Sequence, residues 1–243
     1  ADANRDDVCR IIGTVNSVCG GLLQRFAFEA GLPTEQRVLD EARASQLLRE
    51  TIDTVIAGHS LTELLQVARR LSLDSAPQDP LPPWQKALGR LVDQARANAI
   101  DADALRGAGG LNAANLLAHF PAPVAGDLDA RLQQAIAAAL PEVRTALEQT
   151  RQKNVGEYLE QLHAAERSLQ DGTLTWALWN KLTAAAPAKL RTVAEPIIEA
   201  AGLYTAHPRL RDDLTRHLEL MYALAADSLD AYAIAKRQIG ALD

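Results

Sequence analysis

The stretch Asp127–Gly172 reads DLDARLQQAIAAALPEVRTALEQTRQKNVGEYLEQLHAAERSLQDG. Apolar residues recur at Leu128, Leu132, Ile136, Ala139 and Leu140, and again at Val143, Leu147, Val155, Tyr158, Leu159, Leu162, Ala165 and Leu169. Spacings of three and four place them on one side of a 3.6-residue helix, with charged residues between. Pro141 either opens a new helix or bends a long one, and Asp171-Gly172 is a stop. This pattern predicts either one long bent helix or two helices, and no strand.

The same period extends outward in both directions. Thr173 or Thr175 caps a helix carrying Trp176, Leu178, Trp179 and Leu182; Pro187 breaks it. Leu190, Val193, Ile197, Ile198 and Ala201 form the next, with Pro196 inside the pattern. Leu210, Leu214, Leu218, Met221, Tyr222 and Leu224 lead to a break near Asp227, and a last helix covers Ser228–Ile239. Upstream, Val8, Ile11, Ile12, Val15, Val18, Cys19, Leu22 and Phe26 occupy one arc, which reads as a core-facing helix from Asp7 to Ala30. Thr34 starts a second helix that Gly58 ends. Ser60-Leu-Thr-Glu63 reads as a capping box, and Pro83-Trp84 opens a helix through Ile100. Arg106-Gly-Ala-Gly-Gly110 reads as a flexible break before a short helix from Asn112 to His119.

The expected fold is therefore all-α, a helical bundle of about nine to eleven helices, with two packed halves. Residues 1–119 and 127–243 would be those halves, joined by the Pro-rich connection 120–126, or together one domain. Composition agrees. There are 45 Ala and 37 Leu against ten aromatic residues among 243, which favours helix over the β-branched, aromatic content of sheets.

Charge excludes some functions. The net charge is -6 and no basic run exceeds two residues, so no cationic stripe exists for nucleic acid. The longest charge-free apolar stretch near the start, Ile11–Leu23, has 13 residues, short of the roughly 20 that span a bilayer. No transmembrane segment is expected. The sequence starts at Ala1, so the expectation is that an upstream segment has been removed.

Candidate chemistry is sparse. Glu157, Glu160, His163 and Glu166 follow one another at intervals of three, and Glu160 with His163 has the Glu-x-x-His spacing of helical metal sites. No second such pair exists, so Glu160 and His163 are metal candidates against a solvated-face alternative. Asp213 and His217 are four apart and read as an intrahelical pair. No nucleophile elbow, phosphate loop or Ca²⁺ loop is present, and no cofactor is expected. Trp176 and Trp179 share a helix face and, with Tyr222 and Tyr232, could line a patch for a partner or apolar ligand; the alternative is core packing.

Cys9 and Cys19 could form a disulfide. Ten residues of helix rise about 15 Å, and a bridge needs Cα atoms within about 7 Å, so the chain would have to turn between them; two unpaired thiols are the alternative. These features favour a non-catalytic, periplasmic or secreted helical protein, with a cytoplasmic location also open. It would bind a protein partner or a small hydrophobic ligand, as a sensor ectodomain, an adaptor or a secretion-associated protein. The other reading is a metal-dependent all-α enzyme or hydrophobic-ligand carrier with a pocket between the halves. The disulfide has a direct test: intact mass before and after reduction should differ by two hydrogens if Cys9 and Cys19 are bonded, and identical masses would remove the pairing.

Overall fold

The computed structural model describes residues 15–29, 37–59, 61–184 and 186–242. The chain is all-α. Ten α-helices run through the described residues: α1 Val15–Arg25, α2 Glu41–Gly58, α3 Thr62–Arg70, α4 Pro83–Ala97, α5 Ala102–Leu117, α6 Leu128–Thr150, α7 Lys153–Gln170, α8 Trp176–Leu182, α9 Arg191–Gly202 and α10 Pro208–Gln238. Short 3₁₀ turns cover Ala188–Leu190 and Leu203–Ala206. The strands β1 (Arg37–Val38) and β2 (Ala241–Leu242) pair in parallel over two residues each. No helix among the described residues is long and apolar enough to cross a membrane.

The chain divides into two compact units, one formed by residues 1–59 with 226–243 and the other by 60–225. The division falls inside α10, and the connection 120–126 lies within the second unit.

In the first unit α2 starts at Asp40, whose carboxylate accepts the Arg43 N–H at 2.8 Å. Residues 37–40 precede that helix, so it starts later than Thr34. The carboxylate meets free N–H groups and the positive helix end there. α2 buries Ala44, Leu48, Thr51, Ile52 and Val55. The expected burial of the α1 stripe is corrected at three of its residues: Cys19 is exposed, and Leu22 is 44% and Phe26 49% accessible. Val18 is half-buried, and Val8, Ile11 and Ile12 lie outside the described residues. Periodicity shows which residues share a face. It does not show whether another element covers that face. Cys9 lies outside the described residues, as does the predicted start of α1.

The second unit is built on the helices of the opening quotation. Asp127 caps α6 by accepting the Ala130 N–H at 2.9 Å. Pro141 stays inside α6, which continues to Thr150. Arg151 then takes a left-handed conformation (φ 51°), its N–H donating to the Leu147 carbonyl at 2.8 Å. That single residue turns the chain so that α7 packs back on α6. Leu132, Ile136, Val143, Val155 and Leu162 are fully enclosed, each contributing about 1.5–3 kcal/mol by leaving water. α9 lays Ala194, Ile197, Ala200 and Ala201 into this core. Thr175 caps α8, its hydroxyl accepting the Leu178 N–H at 3.3 Å.

Three expectations change here. The glycines at 107–110 do not break the chain; they lie within the 16-residue α5, which Asp101 caps through the Ala104 N–H at 2.7 Å. Asp227 does not end a helix, because α10 is continuous to Gln238. The helix expected to open at Ser60 has Leu61 at its cap position, without a side-chain hydrogen bond, and Ser60, the first residue of the expected capping box, lies outside the described residues.

Gly109 explains its own presence. A Cβ there would lie 3.1 Å from the Glu219 Cα and 3.2 Å from the Tyr222 Cβ of α10. Gly107 and Gly110 have nothing within 4 Å. Gly109→Ala should therefore destabilise the protein by about 1–3 kcal/mol through overpacking. Gly107→Ala should stabilise it by up to about 1 kcal/mol. Urea denaturation of both variants checks the pair; equal effects would show that α5 does not rest on α10 at Gly109.

Candidate functional site

A cluster of polar side chains in the second unit surrounds Asp213, which is 3% accessible on its side chain. A carboxylate at that depth is costly unless paired and hydrogen-bonded. Arg70, at the end of α3, donates from Nε to both carboxylate oxygens, at 3.0 and 2.9 Å, and from Nη2 to Oδ1 at 2.5 Å. Trp176 on α8 donates from Nε1 to Oδ2 at 2.8 Å. Asp213 holds Arg70 further into its protonated form, against the opposing effect of burial. The pair with His217 expected from sequence is corrected, because the Asp213 oxygens are committed to α3 and α8.

A second charge pair lies beside it. Arg209 spans Asp129 of α6 with Nη1–Oδ2 at 2.9 Å and Nη2–Oδ1 at 3.0 Å, and its guanidinium lies 5.1 Å from the Trp176 ring centre. His207 stands edge-on to both tryptophans, 5.1 Å from Trp176 and 5.4 Å from Trp179. Its Nδ1 accepts the Arg209 backbone N–H at 3.1 Å, which leaves the proton on Nε2, 3.6 Å from Asp129 Oδ2. At that distance the Nε2–H faces the carboxylate as a dipole, too far away for a hydrogen bond. Burial alone would raise the Asp129 pKa; His207 and Arg209 outweigh it and hold the carboxyl below its usual value.

The predicted residues are placed as follows. Trp176 and Trp179 are 6% and 0% accessible, so they form no exposed patch; they are core residues 6.0 Å apart. Tyr222 is half-buried and sits against Gly109 of α5. Tyr232 is buried, with Lys236 Nζ 4.9 Å from its ring centre. Glu160 is exposed. His163 lies between Arg144, 3.4 Å from Nε2, and Glu166, 3.6 Å from Nδ1. A guanidinium only donates, so it occupies the ring lone pair a metal would need and adds a positive charge beside it. Among the described residues no three His, Cys, Asp or Glu side chains gather to hold a metal.

Two surface features remain. A shallow groove follows the α6–α9 seam in sections of about 360 and 240 Å³ that meet at Glu142 and Val193. Pro141 and Pro196, the two prolines inside helices, line it.

The other feature is α5, which has two opposed faces. Leu105, Gly109 and Ala113 are buried. Ala104, Gly107, Leu111, Ala114 and the capping residue Ala118 are exposed, Leu111 at 69%. At 100° per residue the two sets are centred about 180° apart. No Asp, Glu, Lys or Arg occurs between Arg106 and Asp127. This exposed, uncharged face was hidden in the sequence by the reading of 107–110 as a break. The signal that could have found it is the run itself, three charge-free turns in a chain that is 23% charged.

No protein-family model and no curated protein sequence matches the chain.

Two stability predictions follow from the buried charges. Arg70→Leu should cost about 3–5 kcal/mol, because it leaves Asp213 buried without its cation; a loss below about 1 kcal/mol in urea denaturation would mean Asp213 is hydrated. His217 is buried, with Nδ1 lacking a partner, and burial lowers its pKa. The folded state therefore favours neutral imidazole, and stability should fall as pH drops below about 6.5, the unfolded value. His217→Gln should flatten that decline between about pH 7.5 and 5. An unchanged slope would assign the proton uptake elsewhere.

Proposed function

We propose that this chain is a non-catalytic helical protein that binds a protein partner through the exposed face of α5, and that the partner supplies an uncharged apolar helix. The observation that carries the reading is the spacing of Ala104, Gly107, Leu111, Ala114 and Ala118, alternately three and four residues apart and all exposed. That 3.5-residue period is the seam period of packed helix pairs. Small residues beside one large one let a second backbone approach closely, with Leu111 as the knob. From Gly107 onward the face carries no charged residue, which favours an apolar seam over ionic steering. The α6–α9 groove is the lesser candidate, since it is shallow and open. A periplasmic or secreted location belongs to the same proposal and rests on the two cysteines.

The test places a photo-crosslinking residue at exposed Asn115 and compares the parent chain with Leu111→Glu and Val193→Glu. The expected result is a crosslinked partner that Leu111→Glu removes and Val193→Glu retains, with both variants keeping the parent's helical circular dichroism. A crosslink that survives Leu111→Glu overturns the assignment of the face. A product carrying a second copy of this chain overturns the separate-partner reading.

A further inference from the structure

We draw no further inference here: the strongest candidate, the exposed apolar surface formed by Cys19 and Leu22 of α1 and by Phe26 just after it, carries nothing, because nothing in the structure shows what covers it.

Discussion

The charge on Asp213 is the constraint around which the second unit is arranged. One carboxylate within a helical core requires a cation and a second donor, and the chain supplies them from distant places: Arg70 is 143 residues away and Trp176 is 37. Meeting both demands fixes the end of α3 and the start of α8 against α10. The net energetic worth of such a pair is small, because desolvation offsets most of the attraction. Its effect is on geometry. An apolar residue at 213 could slide along its neighbours, whereas a bidentate guanidinium and an indole N–H allow one arrangement. Asp129 repeats the device with Arg209, so each of the two carboxylates is answered by its own arginine, and Trp176 touches both pairs, donating to Asp213 and lying against the Arg209 guanidinium.

Alpha helix α5 shows how little separates a structural face from an available one. Its inner side closes on α10 only because Gly109 has no side chain. Its outer side is built from nearly the same residue types, alanine, glycine and leucine, and faces solvent. Composition cannot distinguish the two sides. The distinction comes from α10, which covers one of them.

Much of the fold was legible because α6 and α7 are strongly periodic and because Asp127 and Thr175 are cap residues with free hydrogen-bond acceptors. Pro141 remained ambiguous, since proline is compatible with both a first turn and a bent interior. The misread segments share a cause: in each, a tertiary contact or its absence overrides local preference. Gly107–Gly110 would weaken an isolated helix, yet close packing at Gly109 holds it. Asp227 looked like a terminator, and α10 passes through it. Cys19, Leu22 and Phe26 share the period of the expected stripe and are nevertheless exposed. For the site, the tryptophans were the right residues to notice, but burial places them in the core. Arg70 and Asp129 carried no local signal at all, because their partners lie 143 and 80 residues away.

The left-handed turn at Arg151 has a consequence for the order of assembly. It joins α6 to α7 through the shortest of loops, so this pair closes with little loss of chain entropy and can form before its surroundings. The Arg70–Asp213 contact must instead close 143 residues of chain. Until α3 arrives, Asp213 keeps its water, and the charge that fixes the finished core is hydrated while the first hairpin is already in place. Chain entropy alone therefore favours closing the apolar, local part of the unit before its polar, distant part.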